Sequence, residues 1–336
     1  MSASERLVAA GEELPVISEP AAMFHDLASK VPKLENFLKK MSHRPLRVAT
    51  MCSGTESPLL ALDKIADATE KLFGSRLNVE HVFSCEIEPF KQAYIERNFS
   101  PPILFRDIRE LKEKQAYTAY GALVDVPGNV DILVAGTSCV DYSNLNNEQK
   151  GLNEQGESGQ TFRGMKAWIM RCKPPVVILE NVCGAPWQQI VDDFASFGYT
   201  ADFLRLDTKR YYIPHTRTRV YLLAVLGDDD EGVLAQWKEV VKQLERPSSS
   251  TLEAFLFDTD DPRVNKGRQD LALPGEKNTR AETDWGRCQS RHIRARVEEK
   301  LGQQRPFTHW DGGCQLPDYA WNDWGKAQTD RVLDLM

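Results

Sequence analysis

The sequence lacks the cysteine patterns of a disulfide scaffold or a zinc site. Its seven cysteines are an odd number, and no two of them form a CxxC pair or another spacing typical of zinc ligands. A free cysteine is most often a buried small hydrophobe, so a functional role for any one of them depends on its surroundings. We therefore expect neither a disulfide framework nor a metal site.

Long apolar runs are also missing. No stretch approaches the roughly 18 residues that would span a bilayer, and residues 1–20 lack the basic start and apolar segment of a secretory signal. We expect an intracellular protein with no membrane partner. The net charge of −7 argues against a protein held on nucleic acid by its overall field, although a local basic groove is compatible with it.

The 336 residues exceed the usual size of a single domain, and we interpret the chain as three parts. Residues 1–44 are expected to form an arm with one amphipathic helix that covers the core. Residues 45–227 alternate short apolar runs with amphipathic stretches. Residues 228–336 form a smaller C-terminal region with a helix from about residue 233 to 244. Nine basic residues between Arg263 and Arg296 fit a solvated face and a nucleic-acid contact surface about equally.

The apolar runs of the middle region do not alternate with polar residues, as is typical of strands buried on both faces. They are LRVATM, NVEHVFSC, ILF, VDILVAG, PVVILE, TADFLRL and RVYLLAV. Helical patterns separate most of them, which predicts a doubly wound α/β domain with a mostly parallel, Rossmann-like sheet. Ligands of such sheets bind beyond the carboxyl ends of the strands, so the residues that follow each run are the candidate site.

The first three strand ends suggest a nucleoside ligand. The first strand runs into the small-residue turn 52–55 before Pro58, where a ligand can approach the backbone near a helix N-terminus. Glu86 follows the second strand and could accept hydrogen bonds from two ribose hydroxyls. Asp107 follows the third, where a carboxylate could accept from an exocyclic amine such as that of adenine.

The next two strands end in a thiol and a carboxylate. Cys139 lies three residues beyond the run that ends at Gly136, where a cysteine is partly exposed, and Glu180 ends the following run. Such a pair suits covalent catalysis, in which the thiol attacks while the acid donates or shares a proton. From these residues alone, a buried structural cysteine and a helix-capping glutamate are equally good interpretations.

The order of these segments along residues 46–226 resembles that of the cytosine-5 DNA methyltransferase family. Residues 138–140, Ser-Cys-Val, occupy the place of the Pro-Cys-Gln nucleophile motif, and residues 180–182 match its Glu-Asn-Val motif without change. Residues 212–221 are similar to its Gln-x-Arg-x-Arg segment, with His215 in place of the Gln and both arginines, Arg217 and Arg219, kept. Residues 150–162 are similar to the mobile catalytic loop, and glycines punctuate residues 144–164 as expected of a closing loop.

This resemblance implies an AdoMet-methyltransferase fold and an enzyme that methylates carbon 5 of a cytosine flipped out of double-stranded DNA. If the source is eukaryotic, the expected location is the nucleus. Cys139 would be the nucleophile, Glu180 the group at ring N3, and Arg217 and Arg219 the cations of the catalytic set. The implied AdoMet site consists of the residues at the strand ends, namely Cys52, Ser53, Gly54, Thr55, Glu86, Ile87, Asp107, Ile108 and Ser138.

Three departures from the family pattern leave other functions open. Ser138 and Val140 replace the Pro and Gln beside the nucleophile, and Glu56 and Ser57 replace glycines of the first turn. A carboxylate there could either meet the cofactor or spoil its pocket. The Asn-Ser segment that completes the family's AdoMet site is not found. The alternatives are a tRNA cytosine methyltransferase on the same scaffold and a catalytically inactive AdoMet-fold module that binds nucleic acid or a partner. The oligomeric state is not predicted.

Overall fold

The structure is a computed structural model that describes residues 14–143, 146, 148–229, 232–250 and 252–272. The chain divides after Ala254 into two units, and of the second the structure describes residues 255–272. Most of the predicted basic concentration, and the cysteines at 288 and 314, lie outside the described residues.

Nine strands are found in the described part of the chain. They are β1 (Leu46–Met51), β2 (Val79–Cys85), β3 (Leu104–Phe105), β4 (Gln115–Tyr117), β5 (Leu123–Asp125), β6 (Ile132–Ala135), β7 (Val176–Asn181), β8 (Tyr199–Asp207) and β9 (Thr218–Leu226). Seven of them form one sheet in the order β3-β2-β1-β6-β7-β9-β8, and β4 pairs with β5 in a separate hairpin. Neighbouring strands pair in parallel along the part of the sheet that consists of β3, β2, β1, β6 and β7, whereas β9 is antiparallel to both of its neighbours. The predicted mostly parallel α/β sheet is confirmed.

Helices occupy most of the connections. They are α1 (Pro20–Lys30), α2 (Leu34–Met41), α3 (Ser57–Phe73), α4 (Pro89–Phe99), α5 (Glu157–Cys172), α6 (Trp187–Ser196), α7 (Val233–Gln243) and α8 (Pro262–Ala272). Proline lies in the first two positions of α1, α3 and α4, where its missing N–H costs no helical hydrogen bond. α3 ends at Phe73, and the next residue, Gly74, has a left-handed φ of 66°. This conformation lets the Gly74 N–H donate to the Glu70 carbonyl and close the last turn.

Within residues 14–44, the described part of the N-terminal arm, two helices occur in place of the single helix that the spacing predicts. The break occurs because Val31 is extended and Lys33 is left-handed, with a φ of 62°. A polar network fastens the arm. The Tyr212 hydroxyl donates to Asp26, and the Arg246 guanidinium donates to the Pro15 carbonyl at 2.6 Å and lies 5.3 Å from the Tyr212 ring centre. These contacts hold the arm against Tyr212, which precedes β9, and against Arg246, which follows α7.

The core lies between the sheet and the helices that cover it. Phe83 of β2 makes edge-to-face contacts with Phe105 of β3 and Trp168 of α5, with ring centres 5.5 and 5.6 Å apart. All three rings are fully buried. These contacts fix α5 against the strands whose ends form the candidate site.

The start of α5 corrects the predicted loop over residues 144–164. The helix begins at Glu157, so Gly159 and Gly164 are helical and only the preceding glycines belong to the loop. A Cβ at Gly164 would lie 2.8 Å from the Ile108 carbonyl oxygen. This glycine is therefore required for close packing of the helix. In the sequence alone, it looks like a loop glycine.

Within the described residues, no helix is long and apolar enough to cross a membrane. The same part of the chain contains no cluster of three or more His, Cys, Asp or Glu side chains placed to hold a metal ion.

Candidate active site

The register of the parallel strands brings their carboxyl ends to one edge of the sheet. Met51 pairs with Cys85 on one side and with Ala135 on the other, and Ala135 pairs with Leu179. The residues that follow β1, β2, β6 and β7 therefore lie side by side. Candidate cofactor and catalytic residues that are up to 128 positions apart in the chain, from Cys52 to Glu180, share this edge.

The turn after β1 is a tight left-handed structure. Cys52, Gly54 and Glu56 have φ values of 53°, 64° and 55°, and the Cys52 N–H donates to the Cys85 carbonyl at 2.8 Å. Two non-glycine residues with positive φ in five positions are costly, and such conformations persist only where the surroundings impose them. The Ser53 hydroxyl is buried within this turn and has no hydrogen-bond partner among the described residues. A polar ligand could use that hydroxyl.

Glu86 reaches back to the same turn. Its carboxylate accepts N–H groups from Gly54 at 3.2 Å, from Ile87 at 3.0 Å and from Glu88 at 3.2 Å, and the residue is only 4% exposed. Ile87 is exposed and leaves an apolar surface beside the carboxylate. The ribose-binding role of Glu86 and the cofactor contact of Ile87 stay predictions.

Asp107 is held by Arg109. The carboxylate accepts the Arg109 backbone N–H at 2.9 Å and its guanidinium at 2.6 Å, and the guanidinium also donates to Gln160 at 3.1 Å. Burial acts to raise the pKa of Asp107, but the hydrogen bonds and charge of Arg109 outweigh it and lower the pKa. Asp107 is therefore an ionised acceptor. Its neighbour Ile108 is buried and packs in the core.

Carboxylates surround the turn after β1. Burial raises the pKa of Cys52 to about 12; the charges of Glu86, Asp107 and Glu157 contribute in the same direction, and that of Lys91 opposes them. This environment disfavours the thiolate and makes Cys52 a poor nucleophile at neutral pH. Thr55 faces Ser57, with 3.3 Å between their hydroxyl oxygens. The negative surroundings of the turn favour a ligand with positive charge.

Glu56 has an internal role. Its carboxylate accepts hydrogen bonds from the Thr50 hydroxyl at 2.8 Å and the Ser84 hydroxyl at 2.6 Å, and all three residues have no exposed surface. It joins β1 to β2 beneath the turn. Both hydrogen bonds go to Oε1, and the buried Oε2 has no hydrogen-bond partner among the described residues, so the two roles left open by the sequence stay predictions.

Cys139 lies at the start of a short 3-10 turn, Val140–Tyr142, beyond β6. Its carbonyl oxygen accepts the N–H groups of Tyr142 and Ser143, both at 3.0 Å, and the residue is half-buried. The neighbouring Val140 is half exposed. The thiol therefore belongs to an ordered turn at the sheet edge, with partial access to solvent.

Glu180 and Arg219 form an ion pair across β7 and β9, with 3.1 Å between Oε1 and Nε. The second carboxylate oxygen faces the base of the Cys139 segment, since a Cβ at Gly136 would lie 3.6 Å from Glu180 Oε2. Burial raises the pKa of Glu180, and Arg219 and Arg217 only partly offset this. Arg217 is exposed, and its backbone N–H donates to Asp207 at 3.2 Å.

Asn181 is a site residue whose contacts the sequence did not reveal. It is 3% exposed, and its amide donates to the Thr137 carbonyl at 2.9 Å and the Ser138 carbonyl at 3.3 Å. It thus ties the end of β7 to the segment that contains Cys139. The only sequence signal was its place in the Glu-Asn-Val motif.

Comparison with known proteins is consistent with this geometry. The family model described as C-5 cytosine-specific DNA methylase matches residues 47–311. The chain is 56% identical over 331 residues to DNA (cytosine-5-)-methyltransferase DMT5 of Cryptococcus neoformans, covering 97% of this chain and 14% of that protein. It is 32% identical over 358 residues to the DMT5 of Verticillium dahliae, covering 86% and 15%.

A bacterial relative, the Type II methyltransferase M.HaeII of Haemophilus aegyptius, is 29% identical over 175 residues, which cover 48% of this chain and 50% of that protein. The chain spans about a seventh of the length of the two DMT5 proteins. The family match itself extends over most of the chain and includes every candidate site residue. The chain belongs to the C-5 cytosine-specific DNA methylase family.

Proposed function

We propose that this chain contains the catalytic domain of a DNA (cytosine-5)-methyltransferase, which transfers a methyl group from AdoMet to cytosine through a covalent bond to Cys139. Residues 45–227 would be the catalytic part, and residues 228–336 would contain target-recognition elements. The observation that carries the proposal is the placement of Cys139 at the same sheet edge as the Glu180–Arg219 pair, with Glu180 Oε2 facing the base of the Cys139 segment.

Covalent attack activates a base that is otherwise a poor nucleophile at carbon 5. The Cys139 thiolate adds to carbon 6, which forms a sulfur–carbon bond and moves the displaced electron pair towards carbon 5. Glu180 supplies a proton, or a hydrogen bond, at ring N3 and stabilises the charge that develops there. Carbon 5 takes the methyl group and leaves the demethylated cofactor as a neutral thioether. A base such as solvent water then removes the carbon-5 proton, the electron pair of that C–H bond re-forms the ring double bond as the Cys139 thiolate leaves carbon 6, and N3 returns its proton to Glu180.

The environment of Glu180 suits proton donation. A raised pKa increases the fraction of carboxyl that carries a proton at a given pH. Arg219 holds one oxygen at 3.1 Å and leaves the other for the base. The pair therefore fixes the orientation of the acid while burial keeps the protonated form accessible.

The residues at the first three strand ends fit AdoMet. When bound, AdoMet supplies an electrophilic methyl group on a positively charged sulfur. The unpartnered Ser53 hydroxyl and the exposed side chain of Ile87 offer a polar and an apolar contact, and Glu86 and Asp107 contribute negative charge. These residues would orient the ligand towards Cys139 across the sheet edge.

The substrate class follows from the family and from the position of the thiol. A cytosine within a duplex must leave the stack to reach a half-buried thiol, as it does in enzymes that flip their target base. The segment before α5 would close over it, and the exposed Arg217 would contact its phosphate side. A tRNA substrate is the second candidate, since the same chemistry on one scaffold does not fix the nucleic acid.

Transfer of tritiated methyl groups from AdoMet tests this proposal. We expect incorporation into cytosine-containing duplex DNA, loss of it in Cys139→Ser, and retention in the matched Cys183→Ser variant, which alters an exposed thiol nearby. Incorporation into tRNA but not DNA would favour the second candidate. Incorporation into neither, with AdoMet still bound, would indicate the inactive module.

A further inference from the structure

The residues that flank Cys139 are bonded to the first turn of α5. Ser138 stands where the family has proline, and Asp141 follows two positions after the thiol. Proline would restrict the backbone before the nucleophile and remove an N–H donor. Serine does not restrict the backbone in this way, and it keeps its N–H donor. Other contacts are therefore needed to hold the Cys139 segment.

Ser138 makes two hydrogen bonds to α5. Its hydroxyl donates to Glu157 Oε1 at 2.7 Å, and its backbone N–H donates to Thr161 Oγ1 at 3.3 Å. The Thr161 hydroxyl uses its own proton on the Ser158 carbonyl at 3.0 Å, so its lone pairs are free to accept from Ser138. The donor that proline would lack is thereby satisfied.

Asp141 makes a reciprocal pair on the other side of the thiol. Its carboxylate accepts the Ser158 N–H at 2.7 Å, and its own N–H donates to the Ser158 hydroxyl at 2.9 Å. Asp141 is 5% exposed and Ser158 has no exposed surface, so water does not compete for these bonds. Gly156 leaves the space that the Asp141 carboxylate fills.

We propose that a set of five hydrogen-bonded residues, which we call the α5 clamp, positions Cys139 in place of the proline. The α5 clamp consists of Ser138, Asp141, Glu157, Ser158 and Thr161. The proposal rests on the proposed function. The clamp fixes the backbone on both sides of the thiol.

The hydrogen bonds of the clamp can be tested without catalysis. In the full chain, amide hydrogen exchange is measured at single-residue resolution in wild type, Thr161→Val and Thr161→Ser. We expect Thr161→Val to accelerate exchange at Ser138 by roughly fivefold to tenfold, since one hydrogen bond is lost, and Thr161→Ser to leave it near the wild-type rate. Equal exchange at Ser138 in all three proteins would overturn the clamp.

The catalytic consequence is tested with DNA that contains 5-fluorocytosine, whose fluorine cannot leave as the carbon-5 proton does, so the adduct persists. Thr161→Val should form the adduct roughly fivefold to tenfold more slowly at an unchanged Kd for AdoMet, and Thr161→Ser should restore the rate. In the Ser138→Pro variant, Thr161→Val should have less than about a twofold effect, because proline has no N–H to satisfy.

An equal slowing by Thr161→Val in both backgrounds would contradict the proposed role of the Ser138 N–H. A parallel loss of AdoMet affinity and melting temperature would show a general structural defect and would also overturn positioning. If the wild-type chain forms no adduct, the proposed function fails and the clamp loses its catalytic role, whereas exchange at Ser138 still reports whether its hydrogen bonds exist.

Discussion

The side-chain amide of Asn181 donates a 2.9 Å hydrogen bond to the backbone carbonyl of Thr137. This bond connects the end of β7, which carries Glu180, to the segment that carries Cys139. Because Asn181 is buried, it fixes the separation of acid and thiol more firmly than an exposed contact would. The relative placement of the two proposed catalytic groups thus depends on a third residue, Asn181.

The Asn181→Asp substitution should disrupt this connection. It replaces a donor with a carboxylate that faces the Thr137 and Ser138 carbonyl oxygens, so we expect a loss of roughly 2–4 kcal/mol in the free energy of unfolding and a fall in methyl transfer. Thermal unfolding and tritium transfer measure the two effects. The matched control is Asn98→Asp, at an exposed asparagine near the end of α4. Equal losses in both variants would contradict a specific role for Asn181.

The pH dependence of adduct formation should report Glu180. The productive form carries a proton on Glu180 and none on the thiol, so the wild-type rate should rise, pass a maximum and fall as the pH increases. Since only the protonated carboxyl is productive, the raised pKa of Glu180 preserves activity to higher pH than an exposed glutamate would. In Glu180→Gln the amide keeps its N–H at every pH, so a slower rate should rise and level off without an alkaline fall. A bell-shaped profile in that variant would argue against Glu180 as the titrating acid.

Arg217 and Arg219 should affect different steps. Arg217 is exposed, so Arg217→Gln should weaken binding to all DNA sequences by a similar factor. The slope of the logarithm of the binding constant against the logarithm of the salt concentration should decrease in magnitude by about one. Arg219 is paired with Glu180, so Arg219→Gln should lower kcat more than DNA affinity. Filter binding over a salt series and single-turnover kinetics distinguish them, with Arg97→Gln on α4 as the surface control. An unchanged salt slope in Arg217→Gln would exclude a phosphate contact.

Glu56 should matter for stability and not for cofactor affinity. Glu56→Ala leaves the buried Thr50 and Ser84 hydroxyls without their acceptor and should lower the free energy of unfolding by about 2–3 kcal/mol. Glu56→Gln keeps an acceptor oxygen and should change the Kd for AdoMet by less than about threefold, since one neutral hydrogen-bond change is modest. Isothermal titration would reveal a direct cofactor contact as a much larger loss of affinity at an unchanged melting temperature.

The sequence predicted the sheet well because its strands are short apolar runs separated by helical patterns. The segment LRVATM corresponds to β1 over Leu46–Met51, which is buried along most of its length, whereas β7 and β9 alternate between buried and half-buried residues. Glu86 and Asp107 were proposed as site residues because they follow the ends of β2 and β3, and their roles stay predictions. The two-helix arm was missed because Val31 and Lys33 leave helical conformation within a continuous apolar pattern.

The positioning contacts of the site could not be predicted. Ser138 and Thr161 are 23 positions apart, and their hydrogen bond exists only because α5 packs against the strand ends. The glycine at 164 was interpreted as a loop residue because the backbone that approaches it, at Ile108, is distant in sequence. Residue type and spacing therefore suggest the candidate chemical groups, whereas tertiary packing decides which side chains hold them in place.

The covalent bond itself tests the central claim most directly. The wild-type chain is incubated with AdoMet and duplex DNA containing 5-fluorocytosine, the adduct is digested, and the attached residue is identified by mass spectrometry. We predict a single attachment, to Cys139, and none in Cys139→Ala. Attachment to Cys52 or Cys183, or no attachment while AdoMet and DNA are bound, would contradict the account.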